Sequence, residues 1–391
     1  MKGMKEMKEL KLSSEGVAFS GAEEGNASAL YPGVCVMPSG RYIVTFRSAS
    51  RREATEGVRV LMCTSDDGGG SWSEAYDFFK EPPMAEGKKG EFVQMYVTPL
   101  SSTEAFGTLI WVDASDPSRP YYNPETSGII NHIPFFAYSD DAGGSWSEPW
   151  MIEGVPRPRP MAVTSPTLSL PDGRLCCQVE MHKHHDETGP MFFESAVAFS
   201  KDMGKTWGDF TIVNKGEEGG YFFWDQRMNI INDSLLCLYW SWDDGNSEYV
   251  NARAIYSTAG PQKPLGSDWT EAYDTGIPGQ PSQPVLLGDG SIGMAYVERT
   301  GAPAIKVRRS FDGGRTWPDD STVMVYDTEY AKQSNKKSDV NDMWVEMYQF
   351  SVGFPVASAT PDGGMLVCFY AGEDTDHTAI RWAKLDLENA G

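Results

Sequence analysis

The sequence predicts an all-β protein, a six-bladed β-propeller, on three observations. A strand–turn–strand unit recurs six times along the 391 residues. A second short motif, Ser-x-Asp-x-Gly-x-Thr/Ser-Trp, follows that unit in most of its copies. The 40 Gly and 25 Pro are spread along the whole chain, as many turns require and a disordered tract does not.

The unit is an apolar strand, a tight turn and a second apolar strand. It opens as YPGVCVMPSGRYIVTF at Tyr31 and returns as TPLSSTEAFGTLIWV at Thr98 and SPTLSLPDGRLCCQVE at Ser165. The remaining copies are RMNIINDSLLCLYW at Arg227, QPVLLGDGSIGMAYVE at Gln283 and FPVASATPDGGMLVCFY at Phe354. Their spacing is about the length of a four-stranded sheet, so each copy implies one blade. Ser39-Gly40, Asp172-Gly173, Asp289-Gly290 and Asp362-Gly363 supply the positive φ that hairpin turns need. One domain follows, with blades over residues 28–80, 91–152, 161–214, 221–275, 279–327 and 345–391. The last copy ends after IRWAKLDL, too soon for a fourth strand. Residues 10–19 are expected to supply it, closing the ring and hiding the sheet edge.

The second motif reads Ser65, Asp67, Gly69, Ser71, Trp72, then Ser139, Asp141, Gly143, Ser145, Trp146. It recurs as Ser200, Asp202, Gly204, Thr206, Trp207 and as Ser310, Asp312, Gly314, Thr316, Trp317. In the fourth blade YSTAGPQKPLGSDW keeps only Trp269. These boxes suit a scaffold: the carboxylate accepts backbone N–H groups, glycine takes the positive φ, and the indole packs beneath. In register with the strand pairs across the whole chain, they resemble the Asp-box repeat of the sialidase superfamily. The resemblance implies that the boxes join third and fourth strands, away from an active site at the central mouth.

Composition narrows the function. A net charge of −22 repels phosphate backbones, so no nucleic-acid partner is expected. No apolar run is long enough to cross a bilayer, so no membrane partner is expected either. The start, MKGMKEMKELKLSSE, lacks the apolar middle of a secretory signal, which points to the cytoplasm unless a leader has been removed. Cys35, Cys63, Cys176, Cys177, Cys237 and Cys368 have no CxxC spacing and read as buried free thiols. No cofactor or metal is called for. EMHKHHDE, holding His182, His184 and His185, reads as a surface loop, with metal binding the alternative.

The resemblance places first-strand starts and second-strand ends at the mouth. The starts are Tyr31, Tyr96, Ser165, Asp225 with Arg227, Gln283 and Phe354. The ends are Arg47, Asp113, Glu180 with His182, Trp242 with Asp243, Glu298 with Arg299, and Tyr370 with Glu373. Acids for proton transfer, aromatic faces for pyranose stacking and arginines for an anionic substituent together suit a sugar. The catalytic candidates are Glu180, Asp225, Asp113 and Glu298. Glu53 joins them because FRSASRREATEG resembles the loop carrying the family's acid/base aspartate. The substrate-binding candidates are Arg47, Arg227, Arg299, Tyr31, His182, Trp242, Gln283, Tyr370 and Glu373.

The chain departs from the family at key frames. Where sialidases have Arg-Ile-Pro it has Leu30, Tyr31, Pro32. The frame of the tyrosine nucleophile, counted back from Asp362-Gly363, falls on Phe354, although another indel placement brings Tyr348 there. Arg227 replaces the glutamate that polarises the tyrosine, and an expected arginine falls near Trp242. The reading is therefore an exo-acting glycoside hydrolase cleaving a terminal, acidic sugar with a carboxylate pair. Alternatives are a non-catalytic carbohydrate-binding propeller, a true exo-α-sialidase and a protein-interaction platform.

Overall fold

Each of the six strand–turn–strand units folds as an antiparallel hairpin in the computed structural model. The structure describes residues 8–21, 27–260, 263–299, 303–328 and 340–389; the charged start at residues 1–7 lies outside them. The chain begins with β1 (Lys8–Phe19), β2 (Ser28–Val36), β3 (Tyr42–Ala49) and β4 (Arg59–Ser65). Next come β5 (Gly90–Pro99), β6 (Ala105–Asp113), a ribbon of β7 (Tyr122–Asn123) and β8 (Gly128–Ile129), then β9 (His132–Ser139) and β10 (Trp150–Met151). The third repeat holds β11 (Met161–Ala162), β12 (Leu168–Ser169), β13 (Leu175–His182), β14 (Phe193–Ser200) and β15 (Gly208–Lys215). The fourth holds β16 (Tyr221–Ile231), β17 (Ser234–Asp243), β18 (Glu248–Thr258) and β19 (Tyr273–Asp274). The fifth holds β20 (Gln280–Pro281), β21 (Val285–Leu286), β22 (Ile292–Glu298), β23 (Ala304–Ser310) and β24 (Val323–Asp327). Helix α1 (Val340–Met347) precedes β25 (Val352–Ala359), β26 (Met365–Gly372) and β27 (Thr378–Asn389).

The arrangement is that of a propeller, but the strands do not form six separate sheets. Repeats two to five each make a sheet of four or five strands. Repeats one and six share a seven-stranded sheet, because β2 pairs in parallel with β27 at Ser28–Thr378. The Thr378 hydroxyl donates to Ala29 O at 2.8 Å and accepts from Ala29 N–H at 3.1 Å, which holds the junction. The N-terminal strand lies where the short last repeat needs it: β1 pairs with β27 from Lys8–Asn389 to Phe19–Ile380.

Strands β3 and β13 are buried at every position, because neighbouring sheets cover both faces. That removes the inside–outside alternation a one-sided sheet shows. First strands line a common space: Val34–Val36, Val97–Pro99, Pro166–Ser169, Met228–Ile230, Gln283 and Ala357–Ala359 bound one cavity of about 280 Å³. It lies at the end where β2 turns into β3.

The Asp turns at that same end are uniform. In each, the Asp Oδ1 accepts the N–H four residues on at 2.8–2.9 Å, and Oδ2 accepts that residue's hydroxyl at 2.6–2.7 Å. The serine hydroxyl accepts the glycine N–H at 2.8–2.9 Å. The fourth repeat retains more than Trp269. Ser257 Oγ still accepts Gly266 N–H at 2.9 Å, so the serine–glycine half survives around an enlarged loop.

Candidate functional site

Antiparallel pairing sends the starts of first strands and the ends of second strands to the opposite end of the sheets. A cavity of about 200 Å³ opens there. Backbone bulges aim side chains into it. The pairing slips between Leu30 and Gly33, between Trp224 and Arg227, and between Gly353 and Val356. Within those slips Tyr31, Asp225 and Phe354 take φ of 52°, 55° and 52°. Left-handed backbone is uncommon for such residues and costs about 1–3 kcal/mol each, and here it recurs at the equivalent bulge of three repeats along one lip. All three side chains line the cavity.

Glu180 and Asp225 are its carboxyl groups, 2% and 8% exposed. Glu180 Oε1 accepts the Thr164 hydroxyl at 3.0 Å and the Gln226 N–H. Its other oxygen is 3.8 Å from His182 Nε2. Asp225 Oδ2 accepts from the Gln280 amide, and Oδ1 is 3.8 Å from an Arg227 nitrogen, too long for a hydrogen bond. Burial raises the Asp225 pKa, Arg227 pulls it back, and the neighbouring Glu180 raises it again. The net direction is upward, so this carboxyl keeps its proton above the ordinary range.

Arginines stand around the pair. Arg47 lines the cavity at 1% exposure; one nitrogen donates to Ala54 O at 2.7 Å, while Nε and the other terminal nitrogen have no partner among the described residues. Arg227 is fully buried with its guanidinium 4.2 Å from the Phe354 ring centroid, behind the wall and not on it. Arg52 sits among Tyr31, Tyr348 and Tyr370 at 5.5–5.9 Å from their centroids and donates to Phe350 O and Met347 O at 2.9 and 2.8 Å. Its bonds brace the end of α1, whose Trp344 stacks on Tyr122 at 5.1 Å and meets Trp224 edge-on at 5.6 Å. Burial lowers His132, also in the wall, to about 4, so that imidazole is neutral near pH 7. Burial pushes Tyr121 up to about 12.

Of the residues the sequence points to, Glu180, Asp225, Arg47, Tyr31 and His182 meet in this cavity. The others lie elsewhere, each for a local reason. Asp113 pairs with Lys88 at 2.5 Å and Glu298 with Lys306 at 2.6 Å, each on its own strand end away from the cavity wall. Glu53 and Glu373 are exposed, because the loop after β3 turns Arg52 inward and leaves Glu53 outside. Gln283 faces the cavity at the other end, bonded to Ala357 O at 2.6 Å. Trp242 is wholly buried against Tyr249. Tyr370 is buried behind Tyr31, and Arg299 opens onto a neighbouring groove. His184 and His185 share their Nε2 atoms with Pro158 O and Pro120 O at 3.0 Å, and no metal-ligand cluster occurs among the described residues. Trp224, Trp240, Tyr121, His132, Trp344 and Tyr348 also line the wall and were not singled out, save Tyr348 as an indel alternative. Trp224 carried a signal, being the residue before Asp225. Trp344 of α1 lies just ahead of the last repeat and carried none.

No family model and no curated relative matches the chain. Solved structures do. A protein of unknown function from Dyadobacter fermentans DSM 18053 is 15% identical with a TM-score of 0.67, covering 99% of this chain and 100% of its own. The Hadza microbial sialidase Hz136 is 15% identical with a TM-score of 0.62, covering 95% of this chain and 68% of its own. The intramolecular trans-sialidase from Ruminococcus gnavus, solved with oseltamivir carboxylate, is 12% identical with a TM-score of 0.60, covering 95% and 96%. The fold of the chain is the sialidase-like propeller.

Proposed function

We propose that the chain is an exo-acting glycoside hydrolase that takes a terminal acidic sugar into the cavity between Tyr31, Glu180 and Asp225. In this reading the seven-stranded sheet is two blades joined at Ser28–Thr378, giving six around the axis. The observation that carries the proposal is the buried Glu180–Asp225 pair. Burial, with the neighbouring Glu180, raises the Asp225 pKa, toward the protonated form a general acid needs to protonate the departing glycosidic oxygen. Glu180, fixed by Thr164 and Gln226, is the second group: it attacks the anomeric carbon or takes a proton from the attacking water. Arg47, with two nitrogens unpartnered among the described residues, stands at the wall and receives the sugar carboxylate. Arg227 is shielded behind Phe354, so its part is to hold Asp225 and not to touch the sugar. Tyr31, Tyr121 and Trp224 offer stacking faces.

Aryl glycosides of uronic and neutral sugars test this directly. Asp225→Asn and Glu180→Gln should each lower turnover of the uronide by about 10²–10⁴ without abolishing binding. Full turnover in both variants would sink the assignment. A second reading, a non-catalytic carbohydrate-binding propeller, is favoured by Phe354, which has no hydroxyl where the resemblance expects a tyrosine, and by the occupied Oε1 of Glu180. It requires binding with no turnover of any glycoside by the wild type.

A further inference from the structure

A groove of about 350 Å³ opens beside the mouth, where the fourth repeat meets the fifth. Trp240, Tyr249, Asn251, Arg253, Asp274 and Arg299 line it. Trp240 and Tyr249 stack at 4.9 Å and 12°, a flat apolar floor. The Arg299 guanidinium stands over the Trp240 ring, 5.6 Å from its centroid. The buried Nε of Arg253, the buried Nε of Arg299 and the Tyr249 hydroxyl have no hydrogen-bond partner among the described residues. Arg299 is only 7% exposed and has its guanidinium 4.2 Å from the Phe350 centroid; its bonds go to Gln280 at 3.1 Å and Val352 O at 3.3 Å. Asp274 is the acid lining the groove, but it is 46% exposed and 3.8 Å from Arg253, too far and too solvated to neutralise both arginines. In a chain of net charge −22, two under-paired arginines in one recess are an exception to the surrounding field. Unsatisfied buried donors carry a free-energy cost that a ligand with acceptors relieves.

The groove is also placed for a substrate. Trp240 lines both it and the central cavity. The Gln280 side chain joins the two by donating to Asp225 and accepting from Arg299. One side chain thus separates the group that protonates the leaving oxygen from Arg299. We propose that this groove is a second glycan subsite that binds an anionic sugar unit, bearing a carboxylate or a sulfate, on the leaving-group side of the bond. The inference rests on the hydrolase reading for its orientation, while its binding chemistry stands on the groove residues alone.

Calorimetric titration of the Asp225→Asn protein, which removes turnover from the measurement, tests the subsite. The probes are methyl glucuronide, which fills only the central cavity, and three disaccharides with a terminal uronate. The second unit is N-acetylglucosamine, its 6-O-sulfated form, or a uronate. A charged second unit should improve the dissociation constant tenfold or more over the neutral one, and the better of the two identifies the anion. Arg253→Met, at a side chain 18% exposed, should erase that improvement and leave affinity for methyl glucuronide unchanged. Tyr249→Phe keeps the stacked ring and should reduce it severalfold, which guards against misfolding of the first variant. Equal affinity for all three disaccharides, or an improvement that survives both substitutions, overturns the subsite. Failure of methyl glucuronide to bind while the charged disaccharides retain their advantage would count against the central acidic-sugar site alone.

Discussion

Aspartates serve opposite ends of these strands under opposite conditions. At the turn end, Asp67, Asp141, Asp202 and Asp312 sit in loops where backbone N–H groups and hydroxyls converge on the carboxylate, and all four pKa values are lowered. For Asp67 and Asp202 the value is about 2, with the Ser71 and Thr206 hydroxyl bonds the largest causes. At the mouth, Asp225 is raised, chiefly by burial. The turns put positive φ on a glycine in every case, with Ala142 and Met203 sharing it in two of them, whereas the mouth puts it on Tyr31, Asp225 and Phe354. One end is built to be satisfied and the other is left partly unsatisfied, so residue type alone does not separate scaffold from site. The surroundings do.

The sharpest way to break the contrast is Arg227→Met. It removes the cation nearest Asp225 and leaves that carboxyl, 8% exposed at the cavity wall, to take up a proton. Losing one partner of a buried pair then costs about 3 kcal/mol, the low end for a partner that can neutralise itself. Urea unfolding at pH 7 reads the loss directly. A change under about 1 kcal/mol would mean that Arg227 and Asp225 do not depend on each other. The next largest effect belongs to the turn end. Gly314 has φ +91°, and an added Cβ would lie 2.6 Å from Leu236 Cδ2 and 2.7 Å from the Tyr256 hydroxyl. Gly314→Ala should therefore cost about 2–3 kcal/mol, strain and overpacking together. Gly290, at φ +90° with open space around it, isolates the strain alone and should cost about 1 kcal/mol on the same change.

Asp312→Ala removes acceptors for the Arg315 and Thr316 N–H groups and for two hydroxyls. By comparison with helix caps, which satisfy backbone donors in the same way, the cost is about 1 kcal/mol at pH 7. Because the folded-state pKa of Asp312 is lowered, its contribution is present above the usual carboxylate range and disappears as the pH falls through the lowered value. Wild type and variant should converge in acid. A gap that persists below the lowered pKa would assign the cost to shape and not to the charge.

The turn end was legible because its chemistry is local. Ser65 to Trp72 spans eight residues, and the bonds that define the turn join positions two and four apart. The fourth-repeat turn was half missed because its serine and glycine, Ser257 and Gly266, are nine apart. The mouth was legible only where the strand-end rule and the bulges coincide. Asp225 and Tyr31 were found because the repeat frame opens a first strand there, although β16 and β2 start earlier, at Tyr221 and Ser28. Glu180 and Arg47 were found because each lies near the end of a second. Asp113 and Glu298 obey the same rule, but Lys88 and Lys306 hold them aside. Trp344 reaches the cavity from α1, ahead of the last repeat, so no period could point to it, and Tyr348, just after α1, was reached only by shifting the frame. The merging of the first and last repeats into one sheet rests on a single residue, Thr378, whose N–H donates to Ala27 O at 3.0 Å and whose hydroxyl bonds Ala29 twice.

The smallest expected effect is the most discriminating, because its sign is reversed. Asp225 has a folded-state pKa above its unfolded value, so the native state binds the extra proton in the interval between them. Its favourable contribution is complete below the unfolded value and is lost as the pH rises through the raised one. Asp225→Asn keeps the volume, the bulge and the contact with Gln280, but has no proton to lose. Its stability should match that of the wild type in acid and exceed it at pH 7, by less than the loss predicted for Asp312→Ala because Arg227 loses an attractive neighbour. Parallel urea titrations at pH 4 and pH 7 give the comparison. A variant less stable than wild type at pH 7 would show that Arg227 outweighs burial. The carboxyl would then be held charged, as in the turns, and could not serve as the proton donor at the mouth.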